Sequence, residues 1–461
     1  MPEALRGAMF TMATVDQGRV KALMEEETAR FLKGHRKSKR LFERAKRSLL
    51  AGVPMNWMVR WAGPYPVFVT DAKGSYIDDV DGNRYLDLCL GDTGSMFGHS
   101  PKPVVDAVRR QVSKGITMML PNEDSIWVGE ELSRRFGLPY WQVAMTATDA
   151  NRFSIRLARE VTKRQYVLVV HGCYHGTVDE TLVRLEGGRL LPREGNIGPP
   201  VPPNMTTKAV EFNDLAAMER ALAPKDVACV LLEPAMTNRG IVLPERGYHE
   251  AVRKMTRETD TLLIIDETHT LSSGPGGYTG AHGLKSDMIT MGKPLASGVP
   301  VAAFGMSQYV SDRVMERILD EGTDESGLGG TLTGNALALS AMRATLEKVF
   351  TKQAFRKMMP LAERFEKGVQ DVIDTRGAPW HVARLGVRIE YHFCPTAPRN
   401  GTEAEAARDS ELEKLLHLML FNRGILMTPF HNMALIAPST TRKDVDRHTE
   451  AFGECVDAIV G

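Results

Sequence analysis

Uninterrupted apolar runs are short in this 461-residue chain, and none reaches the ~18 residues that a membrane-spanning helix needs. The first twenty residues, MPEALRGAMFTMATVDQGRV, lack a basic start followed by an apolar core, so no secretory leader is expected. Cysteine is scarce: Cys89, Cys173, Cys229, Cys394 and Cys455 are scattered, odd in number and without a CxxC pair. That pattern argues against a disulfide framework or a structural zinc site and makes a reducing cytoplasm the expected compartment. Charge of one sign is lacking too. The 58 Lys and Arg against 57 Asp and Glu leave no global field to draw the chain to nucleic acid or a membrane surface. Neither an internal repeat nor a low-complexity segment is visible, and the expected partners are small molecules.

The composition, 43% hydrophobic and 25% charged with 41 Gly and 25 Pro, is that of a folded α/β enzyme. The length exceeds one hydrophobic core. We expect an N-terminal segment at 1–89, a large domain at 90–345 and a C-terminal small domain at 346–461, the first and last forming one α+β unit.

Residues 18–50 are helix-forming, with Leu41, Ala45 and Leu49 on one stripe; the basic run Lys33 to Arg40 reads as a solvated face beside Glu25 to Glu27. The next stretch, PVFVTDAKGSYIDDVDGNRYLDLCLG, has short β-like runs broken by turns, as in a small antiparallel unit. From about residue 100, the runs QVAMT, QYVLVVH, VACVLLEP, TLLIIDE, DMITMG and VAAFGM alternate with amphipathic helical segments. Apolar strands separated by helices imply a mainly parallel sheet covered on both faces. Residues 192–205, PREGNIGPPVPPNM, predict a long loop. Beyond about 345, helices alternate with VARLGVRIEYHF and ILMTPFHNMALIAP.

Several residues carry candidate chemistry. Asp266 ends the run LLIID, and Lys293 follows MITMG. Ligands of open α/β sheets sit beyond the carboxyl ends of strands, where both residues would lie. A pyridoxal-type cofactor asks for an amine to hold its aldehyde, a carboxylate at its ring nitrogen, an aromatic face and a phosphate cradle. On spacing alone, a lysine before proline is an exposed lysine and a strand-end Asp a helix cap. The stretch AMTATDANRFSIRLAR offers a strand, a small-residue turn and a helix N-terminus suited to an anion, with Thr146, Ala147 and Thr148 as ligands; Thr148 or Asp149 as an ordinary cap fits the same residues. In VVHGCYHGTVD, Tyr174 and His175 follow a strand, so a ring could lie on a cofactor face. A metal on His171 and His175 is disfavoured, since two glycines interrupt the pair and no third ligand is near.

The ordered series RLFERAKRSLLAGV, DVDGNRYLD, FGHSP, TATDANRFSIRLAR, GCYHG, LLEP, LLIIDE, MGKPLASGVPVAAFG and GGTLTGNALALSA resembles the class III aminotransferases. Within them it looks most like the glutamate-1-semialdehyde aminomutase branch and related β-amino-acid transaminases. The resemblance implies a fold-type-I architecture, with a mainly parallel seven-stranded sheet and pyridoxal 5'-phosphate as cofactor. It makes Lys293 the Schiff-base lysine, Asp266 the ring-nitrogen partner and Tyr174 the stacking ring, with His175 and Glu233 at cofactor positions. It also implies a homodimer with shared sites, in which Thr331 reaches the neighbouring subunit's phosphate. Ser95, in GDTGSMFGHSP, falls where relatives line the active site. Arg60 stands where relatives keep a substrate-carboxylate arginine, and Trp57, Trp61 and Phe430 would form an apolar pocket beside it.

Three departures from the family pattern stand out. Ala147 replaces a glycine of the phosphate loop, Thr268 replaces a ring-packing valine, and PLASG is stiffer than the aminomutase's glycine-rich stretch. The implied reaction is ping-pong transamination between an amine or β-amino acid and a keto acid. Aminomutase, racemase and lyase outcomes are alternatives on the same scaffold, and a non-catalytic cofactor-fold protein is a third.

Overall fold

The computed structural model of the chain describes residues 15–318 and 327–461. The chain opens with α1 (Gln17–Gly34) and α2 (Arg36–Ala45). His35 breaks them apart with φ −126°; its imidazole is tied to the Phe31 carbonyl at 2.7 Å and the Tyr85 hydroxyl at 2.6 Å. Because α2 stops at Ala45, Leu49 is 40% exposed and does not extend the apolar stripe expected of it.

Strands β1 (Val69–Lys73), β2 (Tyr76–Asp79) and β3 (Arg84–Asp87) form the small antiparallel unit, as read from the turns. Helices α3 (Lys102–Val112) and α4 (Glu123–Phe136) lead to β4 (Tyr140–Ala144), α5 (Ala147–Thr162) and β5 (Tyr166–Val170). A hairpin of β6 (Val183–Glu186) and β7 (Arg189–Pro192) precedes the Pro-rich loop, and β8 (Thr207–Val210) follows it. Next come β9 (Val227–Leu232), β10 (Leu262–Asp266), β11 (Met288–Met291) and β12 (Ala302–Met306).

Seven of these strands make the central sheet, in the order β4-β12-β11-β10-β9-β5-β8. Pairs β11–β10, β10–β9, β9–β5 and β5–β8 are parallel, whereas β12 runs antiparallel to both β11 and β4. The six strand runs read from sequence all lie in it. The seventh, β8, with its short sequence TKAV, and the β6–β7 hairpin gave too little apolar pattern to be read. All residues of β9 to β12 are buried, as continuous apolar strands between two helical layers must be.

The C-terminal part adds β13 (His381–Leu385), β14 (Arg388–His392), β15 (Ile425–Leu426) and β16 (Met433–Leu435). Strand β15 pairs parallel with β3, so the two ends of the chain share one sheet. No helix among the described residues is long and apolar enough to cross a membrane.

Candidate active site

The chemistry gathers at the carboxyl ends of the parallel strands. Asp266 is the last residue of β10 and stands in register with Thr290 of β11, three residues before Lys293. Hydrogen bonds fix Asp266 on every side. Its Oδ2 accepts from Asn151 Nδ2 at 2.8 Å and His175 Nδ1 at 2.9 Å, and its Oδ1 accepts from the Thr268 amide at 3.0 Å. Asn151 is locked in turn, because its Oδ1 accepts the Thr290 hydroxyl at 2.6 Å and its Nδ2 also reaches the His175 carbonyl. Burial alone would push the Asp266 carboxyl up. The His175 imidazole outweighs it, joined by Thr268 and Asn151, and holds the group below the usual carboxylate range. A carboxylate is thereby kept ionised in a dry place, as pairing with a protonated ring nitrogen requires.

Lys293 begins a short 3₁₀ turn, Lys293–Ala296, with φ +50°. Across from it, Leu90, Gly91, Asp92 and Thr93 all have positive φ, between 47° and 81°. Left-handed backbone at side-chain-bearing residues is costly, and such strain gathers where a fold aims functional groups. Here it aims Asp92, whose Oδ2 accepts from Lys293 Nζ at 2.6 Å. The lysine also meets His269 Nε2 at 2.6 Å. Burial raises Asp92; the Lys293 ammonium, followed by His269 and His431, holds it far below the ordinary range instead.

The phosphate turn takes a definite form. Thr146 caps α5: its hydroxyl accepts the Asp149 amide at 3.1 Å and donates to Asp149 Oδ2 at 2.8 Å. The first-turn amides of Ala147 and Thr148 remain for an anion. The Thr148 Oγ1 accepts the Thr177 amide at 3.2 Å, leaving its own proton to donate outward. Gly176, with φ +82°, is obligatory beside it, since a Cβ there would lie 2.1 Å from Thr148 Oγ1. The methyl of Ala147 packs on Gly292, where an added Cβ would come within 2.9 Å of it. The departure at Ala147 is thus matched by a glycine immediately before the lysine.

Tyr174 is half-buried, and its amide donates to Glu233 Oε1 at 2.9 Å. Its ring lies 5.9 Å from Trp57, which stands 5.6 Å from Phe430, so two of the three aromatic residues expected to form a pocket meet beside Tyr174. Trp61 is not part of it; it packs instead with Phe31 and Tyr65 near the N-terminal helices. Arg60 is exposed, capping the 3₁₀ turn Asn56–Val59. Ser95 sits 3.7 Å from where a Cβ on Gly298 would be, beside the turn that carries Lys293. Thr331 is exposed in the stretch before the helix Ala336–Lys348. His171 does not join His175: it accepts the Leu185 amide, whereas His175 goes to Asp266.

Sequence reasoning missed Asp92, His269, Asn151, Thr237 and Arg193. Asp92 lay inside a quoted motif and His269 two residues past Thr268's neighbour Glu267, yet nothing in their spacing marks them as lysine partners. Arg193 comes from the Pro-rich loop and sets its guanidinium 5.3 Å from the Tyr174 ring centroid.

A free amine, an ionised buried carboxylate on the neighbouring strand, a ring beside them and a helix N-terminus define a fold-type-I pyridoxal-phosphate enzyme. The residues present fit that group. Besides the cradle at Gly176 and Gly292, three buried polar atoms around it, Asp92 Oδ1, Thr268 Oγ1 and His175 Nε2, have no protein partner. The class III aminotransferase family pattern matches residues 57–456, and the chain belongs to that family.

The glutamate-1-semialdehyde 2,1-aminomutase of Methanosphaera stadtmanae is 32% identical over 425 residues, covering 90% of this chain and 97% of its own length. The crystal structure of a glutamate-1-semialdehyde aminomutase from Pseudomonas aeruginosa PAO1 is 48% identical with TM-score 0.95, covering 96% of this chain and 99% of that one. A lysine-to-alanine variant of it was solved in complex with PMP. An omega-transaminase from Sphaerobacter thermophilus is 26% identical with TM-score 0.83, covering 92% of this chain and 98% of its own.

Proposed function

We propose that this enzyme is a glutamate-1-semialdehyde 2,1-aminomutase, which moves an amino group between neighbouring carbons of one substrate instead of between two. The observation that carries this is full-length similarity to proteins of that name, at 31–33% identity for several curated relatives and 48% for a solved structure. It favours the aminomutase alternative over the intermolecular transamination expected from the sequence. The omega-transaminase is the more distant neighbour.

When bound, pyridoxal phosphate supplies an aldehyde to carry the amino group and a ring to take up the electrons of the broken C–H bond. Lys293 would hold that aldehyde and, once free, would take and return the substrate's proton. Asp266 keeps the ring nitrogen protonated. Tyr174 would cover a ring face beside His175 and Glu233, and Thr268 would pack against the ring. Thr146, Ala147 and Thr148 hold the phosphate, with Thr331 reaching across a homodimer interface to the partner subunit's phosphate. Trp57, Ser95 and Phe430 line the substrate side and exclude water, and Arg60 binds the substrate's distal carboxylate. The enzyme is expected in the cytoplasm.

The test supplies glutamate 1-semialdehyde alone, with no keto acid, and follows the isomer bearing its amino group on the terminal carbon. Isomer should accumulate stoichiometrically with substrate lost. Amino transfer from an amine to pyruvate, with no isomer formed, would overturn the assignment in favour of transamination.

A further inference from the structure

Lys293 is gripped by side chains that belong to no part of the expected set. An ammonium offers only donors, so His269 Nε2 accepts from it, and the ring's own proton sits on Nδ1. From Nδ1 the line continues to Thr237 Oγ1 at 2.6 Å, and the Thr237 hydroxyl donates to Glu233 Oε2. His269, Thr237 and Glu233 are all buried, at 6%, 0% and 3% exposure. The three bonds share one polarity, from the lysine amine to a buried carboxylate. At the far end, Glu233 also anchors the Tyr174 backbone.

The surroundings favour movement along this line. Burial pushes Glu233 up, toward its neutral acid. His269 is held well below the usual imidazole value, first by burial and then by the Lys293 charge, so the ring resists becoming a cation. Facing Lys293 are Asp92 and His269, with Arg388 and His431 acting at longer range on both of those partners. Facing Glu233 are Thr237, the Tyr174 amide and His269 at 4.0 Å, with His175 and Asp266 farther off. Asp92 pairs with Lys293 Nζ at 2.6 Å on its other side.

We propose that His269, Thr237 and Glu233 form a proton relay that strips Lys293 of a proton and returns it. The step balances internally. A Lys293 N–H bond breaks, leaving its electron pair on Nζ, and a new N–H forms at His269 Nε2. The Nδ1 proton passes to Thr237 Oγ1, and the Thr237 hydroxyl proton passes to Glu233 Oε2. Ammonium plus carboxylate becomes amine plus carboxylic acid, and the imidazole changes tautomer without ever carrying charge. The relay rests on Lys293 being the lysine that carries the cofactor, and it serves aminomutase and transaminase chemistry alike.

Internal transfer leaves the proton count unchanged, so the share of free amine stays constant over the pH range in which the pair holds one proton. The full-length holoenzyme with its cofactor in the amine form, which frees Lys293, provides the test. Its infrared spectrum between about pH 6 and 9 should contain a carboxylic-acid carbonyl band that Glu233→Gln removes. In the same range kcat should be flat in wild type. In Thr237→Val, which cuts the relay at nearly constant shape, kcat should fall by about tenfold for each pH unit that the pH is lowered, and Thr237→Ser should restore the flat profile. If no such band is present, or if Glu233→Gln instead speeds the reaction at neutral pH, as loss of a merely attractive charge would, the relay is overturned. Either result leaves the isomerisation assay standing on its own.

Discussion

Asp266 ends β10 and Glu233 follows the neighbouring parallel strand β9, at 2% and 3% exposure, yet their surroundings drive them in opposite directions. Asp266 receives two N–H donors from side chains and one from backbone, and the sum overcomes burial. Glu233 receives one backbone amide and one hydroxyl, and burial wins. Depth alone therefore decides nothing. The number of donors a fold delivers to a buried carboxylate decides whether it stays an anion, fit to hold a ring proton, or verges on an acid, fit to receive one.

The largest break in that comparison comes from Asp266→Asn, which preserves shape and removes the charge. Activity should fall on the order of 10²- to 10⁴-fold, the range for loss of one proton-managing group. Bound cofactor would still be seen by absorbance, with its band shifted as the ring nitrogen loses its proton. Loss of activity with an unshifted band would show that Asp266 does not govern the ring.

Next in size is Asn151→Ala, which takes one donor from Asp266 and strands the Thr290 hydroxyl. A hydrogen bond to a charged group is worth about 1.5–3 kcal/mol, and the apparent unfolding free energy should drop by about that much. The cofactor absorbance band should then shift at a higher pH than in wild type, since Asp266 is less firmly held as an anion. A stability loss with no movement in that pH profile would reduce Asn151 to packing.

These residues also mark what the sequence could and could not disclose. The placing of Asp266 and Lys293 at strand ends was legible because each lies at the end of a strand-length apolar run, and the carboxyl ends of such runs converge in an open parallel sheet; their roles came only with the family resemblance. The parallel sheet itself was legible for the same reason, apart from β8, whose four residues, TKAV, include only two apolar ones. Asn151 was not legible: it sits mid-face on α5, 115 residues from Asp266, and looks like any polar helix residue. Asp92 and Lys293 are 201 residues apart, and only the run of left-handed backbone from Leu90 to Thr93 brings them together. Trp57 and Trp61 are four residues apart in sequence, but the 3₁₀ turn at Asn56–Val59 sends them to different clusters. Local pattern reveals what a residue's own element buries; pairings between elements depend on loop geometry that no periodicity records.

The smallest expected effect separates the two carboxylates by pH. The folded-state value of Glu233 is raised above the ordinary ~4.3, so its share of stability is complete below that pH and is lost as pH rises through the folded value. Asp266 is lowered, so its share is present above ~3.9 and is lost only as pH falls below it. Above about pH 4.3 Asp266 therefore contributes a constant amount, while Glu233 is a liability that grows until its folded-state value is passed. Glu233→Gln never ionises, and its single carbonyl oxygen replaces only one of the two carboxylate oxygens that accept from Tyr174 and Thr237. Relative to wild type, its apparent melting temperature should rise by a few degrees, on the order set by about 1 kcal/mol, between about pH 4 and about pH 8. Differential scanning calorimetry at those two pH values would measure the gap. A gap that stays constant or closes toward pH 8 would mean that Glu233 is held as an anion after all, and that its two donors suffice where Asp266 has three.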